Sequence, residues 1–383
     1  MKGRAKIESA FSAGGTPQIP AVICYEGIFA RDHWRELTDC PWWYREAPDL
    51  ERQLAWRRDV IEAVGQDWLY LPTGLSARER ENLSIEVRPE GVFRLDRSSG
   101  NAVALIEPPV SGMSSSGRLL SVHPPHLADT FEQIDALIPA PPRTPSDRTR
   151  GDLAAKLLDE FGEDLYPIAH ASSPLWSCYS LWGFEDMMVM VAERSDLVEH
   201  ACRRFLDYRL QDIRELAAMG AAGVWIEDCL TDMVGPEAFE SLNVRFLRPL
   251  VQEIRAAGMH SIHYFCGNPK GKWDQLLAVG ADAIALEESK KGFEIDIEDV
   301  VNVVQGRMAV LGNLDAIGIL QDGSEQELAA EIDRQVRAGR RNKGRFVMSI
   351  GSPVTPATPV ERVRRYCDLV HHIGSGETGK TRL

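Results

Sequence analysis

Three residue types in one short neighbourhood of this chain could bind a metal. His263 and Cys266 stand in HYFCGN (263–268), and Glu287 closes the apolar run ADAIALE (281–287). Imidazole, thiolate and carboxylate together make a good donor set for zinc. A zinc-held thiolate is also a route to activating a second thiol at neutral pH. The competing reading is a packed cysteine and a hydrogen-bonded histidine. The spacing adds a condition. Residues three apart on a regular strand face opposite sides, so His263 joins Cys266 only if a bulge or the start of a loop re-aims it.

Further polar residues follow apolar runs in the same way. Glu227-Asp228 could be a general base, a partner to a metal-bound histidine, or a solvated pair. His170 and Ser352 are similarly placed and are candidates for catalysis alongside them. Tyr25 and Glu26 end the first run, Tyr264 lies beside His263, and Asn313 and Asp315 stand in GNLD; all five are candidates for holding substrate. For Asn313 and Asp315 the alternative is capping of the next turn. Seven of the nine tryptophans lie between residues 34 and 182. They read as packing, or in the cases of Trp42, Trp43 and Trp176 as an aromatic wall for a flat or methylated substrate.

These residues need elements to bring them together. Eight apolar runs recur along the chain, at 19–26, 66–72, 165–171, 221–227, 259–265, 281–287, 307–313 and 345–351. From about residue 160 they alternate with helical patterns such as 195–220 and 324–339. Strand, helix, strand in this rhythm means a parallel sheet. Eight such strands predict a single α/β domain folded as a (β/α)8 barrel, with an open doubly wound sheet as the alternative. Barrel chemistry collects at the C-terminal strand ends, where the polar residues stand. Residues 1–18 read as an N-terminal extension, 86–107 as a β-hairpin insertion turning at Arg97-Ser-Ser-Gly-Asn101, 139–151 as a Pro-rich loop and 375–383 as a tail.

Composition narrows the partners. A net charge of −14 argues against a nucleic-acid or anionic-membrane surface. No apolar run approaches the ~20 residues of a membrane span, and the N-terminus has no signal-peptide core, so a cytoplasmic location is expected. The seven cysteines are scattered with no CxxC pair and read as thiols. His123 and His126 sit in a Pro-rich stretch and read as structural or exposed.

One motif is misleading. The closing GSGETGKT (374–381) matches a phosphate-binding loop at every position. That loop must leave a strand and open a helix. Here a helical pattern, 360–373, precedes it and only Arg382 and Leu383 follow, so it reads as a tail.

Taken in order, Trp182-Gly-Phe-Glu185, HYFCGN, GADAIALEES (280–289), VLGNLDA (310–316) and IGSPVTPATPVERV (350–363) resemble the uroporphyrinogen decarboxylase superfamily. The resemblance implies a (β/α)8 barrel. True porphyrinogen decarboxylases carry an Arg-rich signature near the N-terminus, whereas AVICYEGIFARDHW (21–34) offers only Arg31. The chain looks closer to the zinc-dependent methyltransferases of that superfamily. The resemblance implies zinc, with Cys266 on a family ligand position. Similarity to cobalamin-independent methionine synthase puts Glu287 on another. The family's usual His position holds Tyr264, and its second Cys is replaced by Ser352, a poor zinc ligand. The implied reaction moves a methyl group from a corrinoid on a separate protein, or from a small methylated donor, to a thiol or folate-type acceptor. The alternatives are a metal-independent lyase acting on a small carboxylate and a non-catalytic barrel that binds a corrinoid protein. A homodimer is compatible with all three.

Overall fold

The computed structural model describes residues 1–110, 126–142, 147–289 and 292–376. Among these residues eleven strands form two sheets. In chain order they are β1 (Ala21–Val22), β2 (Trp68–Tyr70), β3 (Leu83–Arg88), β4 (Gly91–Asp96), β5 (Ala102–Leu105), β6 (Tyr166–Ser172), β7 (Gly223–Cys229), β8 (His260–Cys266), β9 (Ala283–Leu286), β10 (Ala309–Leu311) and β11 (Phe346–Ser349). Eight of them form one parallel sheet in the order β1-β11-β10-β9-β8-β7-β6-β2. Helices follow the strands, so the sheet is the (β/α)8 barrel that the apolar runs predict. Side chains help to close the remaining seam. Asp67, just before β2, accepts from the Ala21 amide at 2.7 Å, and Gln66 Oε1 accepts from the Ile23 amide at 3.0 Å.

Strand alternation sorts the core into two layers. Trp68, Tyr166, Ile168, Trp225, Ile262, Tyr264, Leu311 and Val347 fill the barrel interior. Val224, Ile226, Phe265, Ile284, Leu286 and Val310 face the surrounding helices. The interior is lopsided. Alanines at 283, 285 and 309 leave room for the rings of Trp225 and Tyr264, which stack 4.7 Å apart. The helix Gly3–Phe11 belongs to the same interior cluster, with the Phe11 ring edge-on to Tyr166 at 5.8 Å. The extension expected at 1–18 therefore plugs the N-terminal end of the barrel.

The insertion has one more strand than a hairpin. β3, β4 and β5 form an antiparallel sheet of three, and the turn at 97–101 joins the last two. The helix Val360–Gly374 leads directly into the glycine-rich tail, so no strand enters the phosphate-loop pattern. Gly374 is still helical, and the chain turns at Gly376, with φ +72°. Residues 377–383 lie outside the described residues, as does His123. Among the described residues no helix is long and apolar enough to cross a membrane.

Candidate functional site

The alternation that builds the barrel also separates the polar residues at its C-terminal end. On β7, Glu227 and Cys229 turn inward with Trp225, while Asp228 turns outward with Ile226. On β8, Tyr264 and Cys266 turn inward, and His263 turns outward. The two outward groups meet in a sealed layer beneath the helices. His263 Nε2 lies 2.9 Å from Asp228 Oδ2. Asp228 also accepts from Ser173 Oγ and from Asn243 Nδ2, each at 2.7 Å. Both Asp228 and His263 are buried. Three hydrogen bonds satisfy the carboxylate and tie β7, β8 and two surrounding helical segments together. Asp228 is therefore a packing and positioning residue and not the base at the mouth that its place beside Glu227 suggests.

The inward groups form a second cluster. Tyr25 Oη donates to Glu227 Oε1 at 2.7 Å and lies 3.8 Å from Cys229 Sγ. Cys229 Sγ is in turn 3.7 Å from Glu227 Oε1. Cys229 and Cys266 are register partners across β7 and β8. The neighbouring Cys266 thiol, with burial, pushes the Cys229 thiol well above the ordinary thiol range. Burial does the same to Cys24, which also senses Glu288, Glu287 and Cys266. The Tyr264 ring closes the floor, 5.8 Å from Tyr25, and its hydroxyl donates to the Gly351 carbonyl at 2.9 Å. Backbone strain gathers at the same place. Tyr25, after β1, and Leu230, after Cys229, hold φ of +56° and +62°. A left-handed residue with a side chain costs about 1–3 kcal/mol, and such costs concentrate at sites where a group must be aimed.

The neighbouring wall, at the ends of β6 and β2, carries different chemistry. His170 stacks against Trp225 with ring centroids 6.2 Å apart and meets the Tyr70 ring edge-on at 5.0 Å. Its ring opens to the mouth, yet these walls replace much of its water and bring its pKa down to about 4. The imidazole is neutral at physiological pH. Glu26 accepts from Gln66 Nε2 beside the Arg57 guanidinium, and burial outweighs both and raises it to about 7. The same burial lowers Arg57 to about 10.

The remaining expected residues divide between the mouth and the scaffold. Ser352 Oγ donates to Glu288 Oε2 at 2.6 Å, and Glu287 is buried at the end of β9. Asn313 Nδ2 donates to the carbonyls of Glu287 and Ile295 at 3.1 and 2.9 Å, which fixes the loop after β9. Asp315 caps the following turn, accepting from the amides of Ile317 and Gly318. The capping alternative thus fits Asp315, and Asn313 is a loop clamp. Trp176 packs on Tyr179 in the segment after β6. Trp43 packs on Tyr44 and under the Arg52 guanidinium. His126 bridges Asp129 and Asp186 on the surface.

The expected zinc trio does not assemble. His263 points away from Cys266 because β8 stays regular, without the bulge that would re-aim it. Ser352 is engaged with Glu288. Among the described residues no three His, Cys, Asp or Glu side chains gather closely enough to hold an ion. The residues do not fit a zinc centre in this arrangement, so no chemical step is routed through one. The register partner of Cys266 is Cys229, which sequence reasoning passed over. Period-two alternation along WIEDC (225–229) was the available signal, since it puts Trp225, Glu227 and Cys229 on one face.

Fold and mouth together define a (β/α)8 barrel with its polar groups at the C-terminal strand ends. The chain belongs to the uroporphyrinogen decarboxylase family: a family profile described as Uroporphyrinogen decarboxylase (URO-D) matches residues 92–373. Curated relatives include a uroporphyrinogen decarboxylase of Solibacter usitatus, 25% identical over 40% of this chain and 42% of that protein. A methylcobamide:CoM methyltransferase, MtbA, of Methanosarcina mazei is 19% identical over 42% of this chain and 44% of its own. The chain spans about half the length of the curated relatives it matches or less. Among solved structures, a methyltransferase from Methanosarcina mazei superposes over 97% of this chain and 99% of its own, with a TM-score of 0.64 and 14% identity. That likeness is one of fold.

Proposed function

We propose that this chain is a methyltransferase that moves a methyl group from a corrinoid or small methylated donor to a thiol or folate-type acceptor in the barrel mouth. The observation that carries the reading is the inward cluster of Tyr25, Glu227, Cys229 and Cys266. Methyl transfer to sulfur needs the thiol deprotonated as the new bond forms. The S–H bond breaks, the S–CH3 bond forms, and the donor leaves with the electron pair of its bond to methyl. Glu227 stands where a thiol proton can go, 3.7 Å from one sulfur already. Tyr25 holds that carboxylate in place, and the Trp225–Tyr264 stack gives it a dry floor. Orientation supplies much of such a rate. The family includes a corrinoid-linked methyltransferase, which supports a corrinoid protein as partner and donor.

A second reading has its own observation. Glu26, with a pKa of about 7 beside Arg57, pairs a proton donor with a cation, as a lyase acting on a small carboxylate needs. The two readings separate in one assay. Protein incubated with deuteromethyl-labelled methylcobalamin and a panel of small thiols is expected to form the labelled thioether. No labelled product from any thiol, together with release of carbon dioxide from small carboxylates, would overturn methyl transfer in favour of the lyase.

A further inference from the structure

Cys229 and Cys266 end neighbouring parallel strands as register partners. Both face the barrel interior, and both are half-buried rather than sealed. Neighbouring strands run about 4.8 Å apart. That falls within the Cα separations of roughly 4.4–6.8 Å that a disulfide spans. Glu227 Oε1, 3.7 Å from Cys229 Sγ, is placed to take a proton from that thiol.

We propose that Cys229 and Cys266 form a reversible dithiol–disulfide site, oxidised through the barrel mouth by a low-molecular-weight disulfide. The Cys229 thiol loses its proton to Glu227, and its sulfur attacks one sulfur of the small disulfide, expelling the first small thiolate. Cys266 then loses its proton and attacks Cys229 Sγ in the mixed disulfide, expelling the second. One S–S bond is broken and one is formed. The two protons end on the two released small thiols, and the pair of electrons passes from the cysteines to the small disulfide. The closed form removes both thiols from the mouth and leaves Glu227 without its thiol neighbour. The site does not depend on methyl transfer being the reaction.

The chain carries its own control. Cys178 and Cys202 hold their sulfurs 3.7 Å apart, but both are fully buried behind the barrel wall. Proximity is shared by the two pairs, and access is not.

The test is thiol mapping on the full-length native protein. It is reduced, freed of reductant, exposed to oxidised glutathione at mildly alkaline pH, blocked with N-ethylmaleimide, digested and analysed by mass spectrometry. The expected result is a peptide pair linked through Cys229 and Cys266, lighter by two hydrogens and released by dithiothreitol, while Cys178 and Cys202 stay reduced. In Cys266→Ser, Cys229 is expected to hold one glutathione and go no further. Two separate glutathione adducts on the native wild type, or two unmodified thiols under conditions that oxidise the urea-unfolded chain, would overturn the proposal. So would linkage of Cys178 to Cys202 at the same rate, because the oxidant would then be entering through an opened fold.

Discussion

Tyr25 Oη lies 2.7 Å from Glu227 Oε1, and this contact ties the loop after β1 to the end of β7 across the barrel mouth. A hydrogen bond to an ionised group contributes about 1.5–3 kcal/mol. Tyr25→Phe keeps the ring and its packing on Tyr264 while removing the donor. If the bond is at full strength in the transition state, kcat/KM falls by roughly 10–100-fold, with KM moving less than kcat. Steady-state kinetics on the thiol-methylation assay checks this. Circular dichroism of the variant is expected to match the wild type.

His170 should not titrate near neutrality. Its surroundings hold its folded pKa at about 4, below that of the unfolded chain. Between the two values the unfolded state binds more protons, so this group's contribution to stability is lost as pH falls through that window. NMR is expected to show the His170 ring signals flat from pH 8 to 5 and moving only below. A midpoint near 6.5 would show that the ring is wet.

Glu26 carries the opposite sign. Its folded carboxyl holds a proton up to about pH 7, while the unfolded chain gives its proton up near the ordinary carboxyl value. Between those values the folded state binds more protons, so stability from this group falls as pH rises. Glu26→Gln removes that fall and is expected to be more stable than the wild type by roughly 2 kcal/mol at pH 8, with the gain shrinking toward pH 4. Urea unfolding at the two pH values reads it.

Asp228 accepts hydrogen bonds from three buried donors. Asparagine at 228 turns one acceptor into a donor facing other donors. Asp228→Asn is expected to lose about 1–3 kcal/mol of folding stability, visible as a lower urea midpoint with an unchanged slope.

The barrel was legible because its strands are apolar runs with polar ends, and that pattern repeats eight times. The positions of Cys266 and Tyr264 at the mouth followed from the same rule. What escaped was mostly a matter of facing. Glu227 and Asp228 are adjacent in sequence and lie on opposite sides of one strand, so the pair that looked like a single acid–base unit is split between mouth and scaffold. His263 and Cys266 are split the same way, which removes the metal trio. Arg57 and Tyr70 reach the site from a helix and a strand end that carry no motif, and only the folded chain sets them beside Glu26 and His170. The phosphate-loop match failed for a reason visible from the start, since a helix and not a strand runs into it.

The same split gives the most direct test. Glu227→Gln and Asp228→Asn change neighbouring residues in the same way, and only the first faces the mouth. In the thiol-methylation assay, with rates referred to folded protein, Glu227→Gln is expected to lose about 100-fold or more in kcat, as removal of a proton acceptor does. Asp228→Asn is expected to stay within about threefold of the wild type, a difference under 1 kcal/mol. A Glu227→Gln enzyme of wild-type activity beside a dead but folded Asp228→Asn would contradict the assignment of the mouth as the site of chemistry.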